Sequence, residues 1–124
     1  MITMRSLVSI VDDDESVRES LPDLLRELGF AALAFASAEE FLASDSFDRT
    51  RCLILDIVMP GMSGPELQRE LTLRRNQIPI VFISAHADEA VRSGLLAQGA
   101  VACLFKPFSE TALLDAVNAA LRVN

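Results

Sequence analysis

Residues 7–14 read Leu-Val-Ser-Ile-Val-Asp-Asp-Asp: a short, nearly unbroken apolar run that ends in three carboxylates. A run of strand length with almost no polar alternation is what a β-strand covered on both faces requires. Such strands belong to parallel sheets flanked by helices, and ligands of these sheets bind outside the carboxyl ends of the strands. The three aspartates therefore fall where a binding site is expected.

Four further blocks of the same length follow along the chain, at Ala31–Phe35, Cys52–Leu55, Ile80–Ile83 and Val101–Phe105. Ala31–Phe35 is poor in β-branched residues and reads as an edge strand. Between the blocks the apolar residues recur at helical spacing. Val17, Leu21, Leu24, Leu25 and Leu28 form one stripe, closed by Gly29 as a C-cap signal. Ser37 and Glu40 open a second helix as a capping box, with Phe41 and Leu42 on its inner side. Leu67, Leu71 and Leu73, then Val91, Leu95 and Leu96, then Leu113, Leu114, Val117 and Leu121 supply three more. Strand and helix alternating in this way predict an α/β doubly wound five-stranded parallel sheet with five helices on its two faces. Pro22 falls inside the first helix, where a lost hydrogen bond and a ring clash cost about 3 kcal/mol, so a kink is expected there.

The chain has 124 residues, the size of one domain, and residues 5–122 are read as that domain. A formal charge of −7 with no basic block leaves nucleic acid without an electrostatic partner. No apolar stretch reaches the roughly 18 to 20 residues needed to span a bilayer, and Met1–Leu7 lacks a signal-peptide core, so a cytoplasmic protein without membrane contact is expected. Cys52 and Cys103 lie in apolar runs, where a buried free thiol is expected and a disulfide is not.

Four of the five strands deliver polar groups at the carboxyl end: Asp12, Asp13 and Asp14 after the first, Asp56 after the third, Ser84 after the fourth, and Lys106 after the fifth. Carboxylates about 4 Å apart repel by about 4 kcal/mol at an effective dielectric of 20, so the cluster should recruit a cation. Oxygen donors without His or Cys suit Mg²⁺. An Asp carboxylate in line with a phosphoryl group so neutralised can attack it and form an acyl phosphate.

These residues resemble the receiver domain of two-component response regulators. The resemblance rests on Val11-Asp12-Asp13-Asp14, on the stretch from Asp56 to Gly64 (Asp-Ile-Val-Met-Pro-Gly-Met-Ser-Gly), on Ser84-Ala85 and on Lys106-Pro107-Phe108. It implies the flavodoxin/CheY-like strand order 2-1-3-4-5, with Asp56 as phosphoacceptor and Mg²⁺ held by Asp13, Asp56 and the backbone carbonyl of Val58. It further implies that Asp12 holds a metal-bound water, that Ser84 is the switch hydroxyl, that Lys106 pairs with the phosphoryl group, and that the Lys106–Pro107 bond is cis. The implied donor is a sensor histidine kinase or phosphotransfer protein. The implied outputs are an effector domain or protein and a phosphorylation-dependent homodimer. Such a domain is no general enzyme: it catalyses only its own phosphotransfer and slow dephosphorylation. Val58 and His86, each two residues past a site residue, are placed by the same layout beside the route of attacking water. One departure stands out, since Cys103 occupies the place where many receivers carry Tyr or Phe, so no aromatic ring there can relay movement of Ser84.

Simpler roles stand beside these. Asp14 reads as the N-cap of the first helix, and Gly61 and Gly64 as turn residues supplying positive φ. Competing functions fit less well. A phosphatase of the haloacid-dehalogenase type needs a second Asp where this chain has Val58. A flavodoxin-like phosphate cradle would meet the repulsion of the Asp run. A receiver-like interaction module that takes no phosphate is the remaining alternative.

Overall fold

The computed structural model describes residues 5–122. Five strands, β1 (Leu7–Val11), β2 (Ala31–Phe35), β3 (Cys52–Asp56), β4 (Ile80–Ser84) and β5 (Ala102–Phe105), alternate with five helices. The helices are α1 (Glu15–Glu27), α2 (Ala38–Leu42), α3 (Gly64–Leu73), α4 (Glu89–Ala97) and α5 (Glu110–Leu121), and a short 3₁₀ turn at Phe47–Arg49 precedes β3. All strands pair in parallel in the order β2-β1-β3-β4-β5. Order reverses between β1 and β3, so the crevice for a ligand opens at their carboxyl ends.

Alternation along each buried strand divides the core in two. Val8, Ile10, Cys52, Ile54, Val81 and Ile83 pack with α1 and α5 residues such as Leu25 and Leu113. Val11, Leu53, Leu55 and Phe82 pack on the other side with Phe41, Leu67 and Leu95. Both faces being apolar is the physical reason the strands read as continuous runs. β2 is at the sheet edge, as its composition predicts. Cys52 and Cys103 are buried free thiols, and burial pushes the Cys52 thiol up to about 12.

Helix ends follow their side chains. Asp14 caps α1 by accepting from Ser16 N, and Gly29, with φ of 104°, takes the left-handed position after its C-cap. Ser37 caps α2 by accepting from Glu40 N at 3.1 Å. A reciprocal capping box forms at α3, where Ser63 accepts from Glu66 N and Glu66 accepts from Ser63 N. α1 runs unbroken across Pro22, whose ring is buried, so apolar burial offsets part of the lost bond. The third and fourth helices form where the spacing places them, but two residues of their stripes face outward. Leu73 is 75 % exposed and Val91 42 % exposed, so neither lies on an inner stripe. Among the described residues no helix is long and apolar enough to cross a membrane.

Candidate phosphoacceptor site

Register brings the site together. Val11 pairs with Leu55, so the next residues outward, Asp12 and Asp56, leave the sheet side by side. Ser84 pairs with Phe105, and Lys106 N donates to Ser84 O at 2.7 Å, which sets the base of the lysine beside β4. The Lys106–Pro107 bond is cis. Asp12, Asp13 and Asp56 offer carboxylate oxygens that all lie within 4.8 Å of one another.

The three carboxylates differ in setting. Asp12 is fully buried, and its two oxygens are used: Oδ1 accepts from Asp14 N at 2.9 Å, and Oδ2 accepts from Lys106 Nζ at 3.0 Å. Asp13 is exposed at the mouth. Asp56 is 8 % exposed. Burial pushes its carboxyl up to about 7, and the charges of Asp12 and Asp13 add to this while Lys106 opposes it. Each pair of such charges repels by about 3 kcal/mol at this separation and an effective dielectric of 20, and the single ammonium answers only part of the total. The donor set is hard oxygen with surplus negative charge and no His or Cys, which fits Mg²⁺.

The loop after β3 is built to a narrow tolerance. Gly61 has φ of 74°, as a turn residue should. Gly64 does not: it is the first residue of α3 with ordinary backbone angles, which corrects the reading from sequence. Its role is close approach. A Cβ at Gly64 would collide with the carbonyl oxygen of Asp56, and Gly64 N donates to Ile57 O at 3.0 Å. Glu39 of α2 also holds this loop, accepting from Met62 N at 3.2 Å. Val58 is 68 % exposed.

Ser84 is 4 % exposed, and its hydroxyl is engaged locally. Oγ donates to His86 O at 3.0 Å and accepts from His86 N at 3.1 Å. His86 itself is exposed. Cys103 is buried in β5 at the position noted above. Two contributors were missed in the sequence. Arg18 of α1 donates to the backbone carbonyl of Asp12 at 3.0 Å, and Glu39 anchors the loop. Neither has a local signal, because each contact depends on how a helix is set against the sheet. The Ser63–Glu66 box, which the sequence reading also passed over, carries a local signal in its Ser-x-x-Glu spacing.

A doubly wound sheet with this acidic pocket, buried hydroxyl and lysine at its switch point defines the receiver class of α/β signalling domains. The family model for the response regulator receiver domain matches residues 8–118, and the chain belongs to that family. It is 45 % identical over 116 residues to nodulation protein W of Bradyrhizobium diazoefficiens, covering 94 % of this chain and 51 % of that protein. It is 43 % identical over 118 residues to the response regulator protein TodT of Pseudomonas putida, covering 95 % and 52 %. Among solved structures, the response regulator StyR superposes with a TM-score of 0.88 at 48 % identity, covering 97 % of this chain and 61 % of that one. FixJ-N superposes with a TM-score of 0.86 at 37 % identity, covering 100 % and 98 %. The chain thus spans about half the length of these curated relatives.

Proposed function

We propose that the Asp56 carboxylate is the phosphoacceptor of this receiver domain and that Asp13, Asp56 and the Val58 carbonyl hold Mg²⁺. The observation that carries the reading is the convergence of three carboxylates within 4.8 Å, with Lys106 Nζ 3.0 Å from Asp12. When bound, Mg²⁺ supplies positive charge to the carboxylates and to the phosphoryl oxygens. The Asp56 oxygen attacks phosphorus of a phosphohistidine, the P–N bond breaks, and the imidazole of the donor leaves. Lys106 shares its ammonium between Asp12 and the arriving phosphoryl group. Asp12 positions the lysine and accepts from water at the site.

Phosphorylation adds about −1.5 to −2 charge at one point. Ser84 then exchanges its bonds to His86 for a phosphoryl oxygen, and the loops after β3 and β4 repack. The surface so changed biases a two-state element that partners read. In the cell, a sensor histidine kinase or phosphotransfer protein is the donor. An effector domain or protein reads the state, with phosphorylation-dependent homodimerisation as one route. The setting is cytoplasmic, and the domain turns over no substrate besides its own phosphoryl group.

The test is incubation with acetyl phosphate and Mg²⁺ followed by intact mass measurement. Wild type should gain one phosphate, and Asp56→Asn or wild type with chelator should gain none. A receiver-like module that takes no phosphate would leave wild type unchanged as well.

Val58 and His86, both exposed, flank the route of attacking water and modulate the lifetime of the acyl phosphate. His86→Ala should change the autodephosphorylation rate by up to about 100-fold, the lower end of what a positioned general acid or base contributes. Equal rates in the two proteins would remove His86 from this role.

A further inference from the structure

Between Asp56 and the start of α3 the chain runs through a loop, residues 57–63, that carries the Val58 carbonyl. The two ends of the loop are pinned: Ile57 N donates to Ile83 O at 3.3 Å, and Gly64 N donates to Ile57 O at 3.0 Å. From Val58 to Met62 the backbone makes no hydrogen bond to other backbone among the described residues. Its tie across the fold is to a side chain 23 residues away, where Met62 N donates to Glu39 Oε2 at 3.2 Å.

Gly61 is fitted to the same carboxylate. Its φ is 74°, and a Cβ placed on it would lie 2.8 Å from Glu39 Oε2 and 3.6 Å from Glu39 Cδ. The carboxylate thus fills the room that a side chain at position 61 would need. α2 gives it a fixed base. Ala38 and Phe41 are fully buried, and the Phe41 ring lies 5.4 Å from that of Phe47 and 5.5 Å from that of Phe35. An acid in the first turn of a helix suits the helix dipole, and Glu40 meets that need as well as Glu39 does. The helix end therefore accounts for an acid but not for its contact with the loop. Among the described residues Glu39 joins no salt bridge that would hold it elsewhere.

We infer that Glu39 is a positioning residue for the metal site: by holding Met62 N and packing on Gly61 it keeps the loop, and with it the Val58 carbonyl, in one arrangement. The inference rests on the metal ligands proposed above. Mg²⁺ demands near-ideal octahedral geometry, so a carbonyl on an unheld loop must be ordered before it can serve. A partner that orients a ligand directly is worth roughly 10- to 100-fold in metal affinity. Glu39 is exposed and acts through Met62 rather than on Val58, so a smaller factor is expected.

Two substitutions separate the contact from the charge. Glu39→Gln loses the charge and keeps an oxygen at the same reach, whereas Glu39→Asp keeps the charge and is one methylene too short. The protein has no Trp, so Mg²⁺ binding is followed by calorimetry. Glu39→Asp should raise the Kd for Mg²⁺ about fivefold, the loss of one hydrogen bond, and Glu39→Gln should stay within about twofold of wild type. In chelator, hydrogen exchange at the Met62 amide should be about fivefold faster in Glu39→Asp than in wild type, which reads the contact without the metal. Wild-type Mg²⁺ affinity in Glu39→Asp, with wild type itself binding Mg²⁺, would overturn the positioning role and leave the metal site standing. Weakening in Glu39→Gln but not in Glu39→Asp would overturn it too, since Glu39 would then act only through its charge. No Mg²⁺ binding by wild type would overturn the metal site and the positioning role together.

Discussion

Gly64→Ala is expected to destabilise the protein by about 3 kcal/mol, the upper range for forcing a methyl group into a filled space, although alanine is the better helix former. Gly64 opens α3 with ordinary helical angles, so propensity alone predicts a gain of up to about 1 kcal/mol. The added Cβ, however, meets the backbone of two consecutive residues, at the Asp56 carbonyl and at Ile57 Cα, 3.1 Å away. Backbone in a buried strand end cannot rotate away as a side chain would. Gly94 in α4 supplies the control. A Cβ there meets nothing within 4 Å, so Gly94→Ala should stabilise by about 1 kcal/mol. Thermal melts of the two variants should therefore move in opposite directions. Two shifts of the same sign would mean that α3 does not press on the backbone at the end of β3 as described.

The second large effect concerns pH. In metal-free protein the Asp56 carboxyl is raised from 3.8 to about 7, chiefly by burial and then by the Asp12 charge. The folded protein thus keeps a proton that the unfolded chain has released, throughout the window between about 4 and about 7. By linkage, stability from this group is present at low pH and is lost as pH rises through that window. Screening by water at the open mouth of the site limits the loss to about 2 kcal/mol. Asp56→Asn carries no charge at any pH in this range. It should lack this decline, and in chelator near pH 8 it should be more stable than wild type by about 2 kcal/mol. Mg²⁺ should narrow the gap by stabilising the wild-type carboxylate. Denaturant melts of both proteins at several pH values read the difference directly, and superimposable profiles would show that Asp56 is not held in an unfavourable charged state.

Much of the fold is legible because burial on two faces leaves a plain mark. Leu53, Ile54 and Leu55 cannot alternate with polar residues when α-helices cover both sides of β3. The carboxyl ends of such strands converge by topology, so Asp12, Asp56, Ser84 and Lys106 could be placed at one rim before any distance was known. Finer features need three dimensions. Leu73 is the last residue of α3, where the chain turns away and exposes it, and helical spacing does not carry that information. Gly64 looks like a turn glycine in sequence and owes its identity to a carbonyl oxygen eight positions earlier. The partner of Asp12 is Lys106, 94 residues away, and the bonds of the Ser84 hydroxyl to His86 depend on a rotamer. The unpartnered oxygen of Gln68 is invisible in sequence, where a glutamine within a helix reads as a solvated residue.

If a carboxylate at the end of β3 becomes an acyl phosphate, its position can be fixed chemically. Protein treated with acetyl phosphate and Mg²⁺ is reduced with borohydride, which converts an aspartyl phosphate to homoserine, and is then digested and mapped by mass. Homoserine at position 56 alone is the expected result. Homoserine at position 12 or 13, or stable phosphate on Ser84 or His86 with residue 56 unmodified, would contradict the account.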